Sequence, residues 1–445
     1  MELTRMSEWV SSLDIQEIPK TILDHAKVTI MDTVSVMMRG CRHQEMEPLI
    51  RQIAKSYPGH TFVLGTDDTV LPEWAAFLNA TGGSFLELDE GQRPTGHPAI
   101  HVIPTALSFS SQLNKTGGEF LESVIVGYEI QSRISRSTLL RWEIHPHGNM
   151  GTPAAAATIA KLKGKNSQQI TEVMNIGATL SMGTSWTPCY EGATVRNTYA
   201  GVSALMANLA NILAEAKFNG LDNAFMDVYN NGILANWFDM EGFTSQLGET
   251  YAIEDNYFKF HACCALNHSP LDAVTELLQK EDIPLDAITQ IIVEGNKGHV
   301  RLANVPVKQR ELAYKFSIPY AIATLLYHKH TNLEAFSEEG NNPVIQSLAE
   351  KVKVVENKQY TKVWPEQSKS QVMVITSNGK FTADCSNPIG SVTNRMSLDT
   401  LYAKTEDLVH PYISDINEYF SLFEKLDQYD SLQKWIKDLT TLYRR

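Results

Sequence analysis

At 445 residues the chain is long enough for two or three domains, and its 43% hydrophobic and 20% charged content is that of a globular protein with a large core. A formal net charge of −13 makes nucleic acid and anionic membrane surfaces poor partners, yet allows a basic pocket for a small anion. Five cysteines, an odd number with two adjacent, argue against a disulfide framework and for a reducing compartment. With no basic and then apolar leader pattern and no apolar run of about 18 residues, a cytoplasmic protein is expected.

The first half reads as helices. Pro19 to Met38 is apolar-rich and stops near Gly40. Residues 117–136 place Leu121, Val124, Ile125 and Tyr128 at the spacing of an amphipathic helix. Residues 151–162 and 198–217 are rich in alanine, which predicts closely packed bundle helices. After about residue 280 the pattern changes. Gln290 to Glu294 is a short β-like run. Val372 to Thr376 and Lys380 to Ala383 flank Ser377-Asn378-Gly379, a hairpin signal. Leu271, Val274 and Leu278 mark one helix and Phe316 to Tyr327 another; beyond Pro388 and Gly390 the composition is helical again. The expectation is a mainly α protein: a large helical domain formed by both chain ends (1–265 and 396–445), with a smaller α+β lid domain inserted at 266–395.

Six of the thirteen histidines fall in three short segments. In the first, Glu87, Asp89 and Glu90 precede His97 and His101 in a stretch broken by Gly91, Pro94, Gly96 and Pro98. A carboxylate can orient an imidazole there for proton transfer; the alternative is a solvated acidic loop. In the second, His145-Pro146-His147-Gly148 leads into the alanine-rich helix, whose N-terminus could hold a carboxylate; the alternative is an ordinary cap at Thr152. In the third, Lys259, His261 and His268 surround Cys263 and Cys264, cationic groups that could neutralise substrate carboxylates beside thiols more naturally read as buried and inert. Arg196 offers a bidentate fork for a carboxylate, or is a surface arginine. Pro98 argues against a helix uniting His97 and His101, and no Cys-x-x-Cys or His-Glu-x-x-His occurs, so no metal site is expected. Neither a dinucleotide fingerprint nor a Walker loop is present, so no nucleotide cofactor is expected.

Taken in order, Glu87 to Gly91 with Gly96-His97-Pro98-Ala99, then His145-Pro146-His147-Gly148, then Lys259 to Cys264 with His268, Leu271 and Asp272, then Phe316-Ser317-Ile318-Pro319-Tyr320 resemble the signatures of the MmgE/PrpD family over nearly the whole chain. That family includes 2-methylcitrate dehydratase, cis-aconitate decarboxylase and iminodisuccinate epimerase. The resemblance implies a cofactor-free and metal-free enzyme of carboxylic acid metabolism, a homodimer, acting on a small di- or tricarboxylate between helical domain and lid. His97, His145, Lys259 and Tyr320 match family positions; Glu87 falls where decarboxylases have an aspartate, Gly91 where they have a threonine, and Cys264 where they have a histidine. Near Thr187 a family lysine is absent, and Arg196 or His261 is the candidate replacement. The expected chemistry is cleavage of a C–H or C–CO₂ bond α to a carboxylate. Its expected catalytic groups are His97 and His145 as acid and base, Glu87 or Asp89 as orienters, Lys259 as electrostatic stabiliser and Tyr320 as a donor; Arg196, His147, His261, Cys264 and His268 would bind substrate. Loss of OH gives a dehydratase, loss of CO₂ a decarboxylase, return of the proton to the other face an epimerase; a non-catalytic binding protein is the remaining alternative.

Overall fold

The computed structural model describes residues 2–302, 310–337 and 340–443. The molecule is mainly α. Helix α1 (Lys20–Cys41) and helix α2 (Pro72–Phe85) pack face to face and are buried over most of their length. Their approach depends on glycine: a Cβ at Gly40 would sit 1.9 Å from the Gly82 carbonyl oxygen, and one at Gly82 would sit 2.6 Å from Cys41 Sγ. Helices α3 (Pro98–Gln112), α4 (Gly117–Arg136), α5 (Gly151–Leu162), α6 (Ser167–Thr179) and α7 (Tyr199–Glu215) complete the bundle, with α5 against α3, α4, α6 and α7. The alanines of α5 explain this central place, because small side chains let four neighbours approach one axis.

Helix α3 corrects one expectation. Pro98 does not break a helix but opens one: it stands in the first turn, where its missing N–H has no helical partner to lose. His97 is the N-cap residue, and His101 lies one turn inside. The helix that Pro98 was read to exclude therefore exists.

The second half carries a four-stranded sheet. Strand β1 (Ile288–Gly295) pairs in parallel with β2 (Val352–Glu356) and antiparallel with β3 (Ser370–Thr376), and β3 forms a hairpin with β4 (Gly379–Cys385). The hairpin turns at Ser377 and Asn378, as the sequence predicts. Helix α8 (His268–Lys280) packs on β3 and β4 and against α9 (Ile318–His328). The chain then returns: α10 (Leu398–Val409) and α11 (Ile416–Glu424) lie on α1, and α12 (Leu432–Thr441) on α3 and α4. All five cysteines are free and buried. Among the described residues no helix is long and apolar enough to cross a membrane.

Candidate active site

The acidic segment runs between α2 and α3. Glu87 turns the chain at φ +54°, a left-handed conformation that a side chain adopts at about 1–3 kcal/mol. What holds it is charge. Arg196 pairs with Glu87 Oε1, and Lys259 Nζ lies 3.2 Å from Oε2 while donating to Asp89 Oδ1 at 3.0 Å. All four side chains are buried. Burying a charge alone is prohibitive, so two cations and two carboxylates share one enclosure. The inner site is therefore balanced rather than basic. Burial alone would lower the Lys259 ammonium, but Asp89 and Glu87 raise it above its ordinary value. Burial would likewise raise Asp89, but Lys259, His97 and Arg196 hold it far below the usual carboxylate range.

Asp89 also meets His97, its Oδ2 lying 2.9 Å from Nδ1. The same Nδ1 is 2.6 Å from the carbonyl oxygen of Glu90. A carbonyl only accepts, so Nδ1 carries a hydrogen, and in the neutral ring the lone pair is on Nε2. His145 is set the other way. Its Nδ1 accepts from the backbone N–H of His147 at 3.1 Å, which leaves Nε2–H as a donor. Burial, followed by Arg196 and His97, pushes His145 well below its ordinary pKa and keeps it neutral. His147 stands between these rings, 4.6 Å from His97 and 5.0 Å from His145, and is likewise held neutral by burial and by His97 and Arg196. His147 Nε2 and Arg196 Nε are buried and find no hydrogen-bond partner among the described residues.

The Glu90 side chain completes the segment. It accepts from the Ala99 N–H at 2.6 Å, at the start of α3, and from the Tyr128 hydroxyl at 3.0 Å. Burial pushes its carboxyl up to about 8.

These groups border a cavity of about 320 Å³. Of the residues singled out from sequence, Glu87, His97, His145, Arg196, Lys259 and Cys264 line it. Asp89 and His147 lie directly behind His97. Burial pushes the Cys264 thiol up to about 11, so it enters as a neutral group. The other three residues are not part of the lining. Tyr320 donates to Asn341 at 2.9 Å and stacks on Tyr314 at 4.0 Å. His261 is engaged by Asp272 at 2.9 Å and by Thr331, and His268 by the Cys263 carbonyl at 3.3 Å. The start of α5 does not face the cavity either: Met150 is its N-cap residue, and Thr152 bonds to Ser203 instead of capping.

Sequence reasoning missed the outer half of the lining. Trp142, Trp186 and Trp364 come from three distant segments, with Tyr257, Arg93, Lys297 and Arg301 beside them. Only the last pair left a signal, a Lys–Arg spacing of four after a strand that puts both on one helical face. A second depression of about 360 Å³, lined by Arg42, Arg51, Asp67 and Asp68 among others, holds none of the residues singled out.

Asp89, His97 and His147 also bring ligand atoms within 4.8 Å of one another. Within that set Lys259 donates to Asp89 Oδ1, and His97 turns its Nδ1–H to the Glu90 carbonyl.

The chain is similar to known proteins over most of its length. Residues 4–246 match the MmgE/PrpD N-terminal domain and residues 261–426 the MmgE/PrpD C-terminal domain. Cis-aconitate decarboxylase of Aspergillus terreus is 23% identical over 428 residues, covering 87% of this chain and 85% of that protein. The mouse (Mus musculus) protein of the same name is 24% identical over 371 residues, 78% and 74% of the two chains, and the human (Homo sapiens) one 22% over 372 residues, 78% and 74%. Two family domains matched in order along most of the sequence, on a mainly α fold, establish that the chain belongs to the MmgE/PrpD family.

Proposed function

We propose that the chain is an MmgE/PrpD-type lyase that dehydrates or decarboxylates a small polycarboxylate by metal-free proton transfer α to a carboxylate. The observation that carries this reading is the orientation of His97. Its Nδ1 is fixed by the Glu90 carbonyl and Asp89, so the ring offers Nε2 as base at a cavity that Lys259 and Arg196 also line. In dehydration, Nε2 takes the α-proton, a C=C bond forms as the C–O bond on the neighbouring carbon breaks, and the imidazolium passes its proton to the departing hydroxide, which leaves as water. In decarboxylation, the C–CO₂ bond breaks, its electron pair stays on carbon as CO₂ leaves, and His97, entering with both ring nitrogens protonated, delivers the Nε2 proton to the resulting carbanion. In both, negative charge gathers on carboxylate oxygens, where the Lys259 ammonium, Arg196 and the His145 Nε2–H stabilise it. Asp89 stabilises the imidazolium. His145 acts as a neutral hydrogen-bond donor, because burial and Arg196 keep it from taking the second ring proton that a general acid would give. The names of the relatives support the lyase class. A homodimer is part of the same reading and is tested by mass in solution.

The test is proton exchange in deuterated water with a panel of di- and tricarboxylates, run after chelation and followed by NMR, CO₂ release and alkene absorbance. Exchange accompanied by alkene or CO₂ is expected. Exchange with inversion and no product would make the protein an epimerase. Binding with no exchange would leave a non-catalytic binder, and activity that returns only with a divalent ion would overturn the metal-free step.

A further inference from the structure

We propose that the substrate carries, besides its carboxylates, an extended apolar arm, alkyl or aryl, that lies along the tryptophan-lined half of the cavity. The inference rests on the lyase reading above. The two ends of the cavity are chemically unlike. At the inner end His97, His145, Arg196 and Lys259 meet. Trp186 is the junction: its ring lies 4.4 Å from His145 and 6.4 Å from Phe316, and the Arg301 guanidinium stands 4.8 Å from it. Outward, Arg301 lies 3.4 Å from the Trp142 ring, and Lys297 lies 5.7 Å from Trp142 and 5.2 Å from Trp364. Ile144 and Leu266 fill the wall.

Three of the seven tryptophans in the chain thus converge on one cavity, from segments far apart in sequence. A citrate-sized ligand, polar over nearly all its surface, would contact the inner end and leave water against these indoles. An apolar arm displaces that water, and apolar burial is the main source of affinity in such a wall. Arg301 and Lys297 do not contradict this. Stacked on indole rings, they keep the wall smooth while adding positive charge on the path of a polyanion, and neither forms an ion pair among the described residues. Trp142 is 47% exposed, an apolar ring held at the mouth where an arm would cover it.

The experiment compares citrate with its methyl, propyl and hexyl homologues, alkylated at a terminal methylene carbon, in the deuterium-exchange assay. The expected result is a kcat/KM that rises about threefold to fourfold per buried methylene, chiefly through KM. In Trp142→Ala and Trp364→Ala the preference for hexyl over unsubstituted substrate should fall at least tenfold. Exchange that is indifferent to chain length, or that declines with it, overturns the arm and leaves the lyase reading intact. If no homologue exchanges, the lyase reading fails, and calorimetric Kd values for the same series decide the arm: no gain from methyl to hexyl overturns it. Tryptophan variants that turn a dimer into a monomer without altering chain-length preference would assign this face to a second copy of the chain and overturn the proposal.

Discussion

His97 is tethered through one nitrogen only, and this allows its two jobs to be separated. An asparagine amide can place its N–H near the position of Nδ1 and keep the bond to the Glu90 carbonyl, but it has no counterpart of Nε2. His97→Asn should therefore fold as the parent does and lose about 10²–10⁴-fold in α-proton exchange. A folded variant with undiminished exchange would remove His97 from the chemistry. Glu90, next to it, permits a pH test. Burial pushes its carboxyl up to about 8 against an ordinary value of 4.5. Between these values the folded protein holds a proton that the unfolded chain has released, so this group's contribution to stability is full at low pH and is lost as pH rises through the window. Glu90→Gln mimics the neutral acid and keeps the backbone carbonyl that His97 needs. Urea unfolding from about pH 5 to about pH 8 should show the parent losing stability relative to the variant. Parallel curves would mean that Glu90 is ionised in the fold.

Two short strands, Gly91–Gln92 and Asn256–Tyr257, fasten the acidic segment to the stretch that carries Lys259, with Gly91 directly opposite Tyr257. A Cβ on Gly91 would lie 2.3 Å from the Tyr257 hydroxyl oxygen. The departure at position 91 thus has a local cause: the tyrosine occupies the space that a threonine would need. Gly91→Thr alone should destabilise by about 1–3 kcal/mol, and Tyr257→Ala should recover part of that loss in a double-mutant cycle. Strictly additive costs would show that the two do not share the space. This pairing also marks the limit of reading the chain from sequence. The helices at 117–136 and 151–162 and the Asn378-Gly379 hairpin are legible because periodicity and turn chemistry are local. Pro98 misleads because a proline breaks a helix or opens one depending on what precedes it. A two-residue strand whose partner lies far along the chain, Gly91 opposite Tyr257, has no local signature at all. In the site the charged and imidazole groups were legible as clusters, whereas the three tryptophans meet only through the fold. Tyr320 shows the reverse: its motif is local, but its hydroxyl is taken by Asn341.

Across the whole molecule, one lysine ties the far end of the chain to the catalytic segment. Lys404, on α10, places Nζ 2.7 Å from Asp32 Oδ1 on α1 and donates to the Leu88 carbonyl at 3.1 Å, between Glu87 and Asp89. The C-terminal helices are thus part of what fixes the curvature of the acidic segment, and not only a cover for α1. Asp32 is fully buried, and burial raises its carboxyl above the ordinary 3.8 even with Lys404 beside it. Lys404→Met removes the partner and raises it further. Leaving a buried carboxylate unpaired costs about 3–5 kcal/mol unless it takes up a proton. Since the folded pKa then lies above the unfolded one, the damage should be smallest at acid pH and should grow as pH rises, a larger loss at about pH 8 than at about pH 5. Asp32→Asn combined with Lys404→Met has no charge to strand and should recover stability, with little remaining pH dependence. It would not recover the bond to Leu88. If that bond holds Glu87 and Asp89 in register, the double variant should stay slow in α-proton exchange although stably folded. A double variant with full activity would confine Lys404 to neutralising Asp32 and leave the acidic segment held by Arg196 and Lys259 alone.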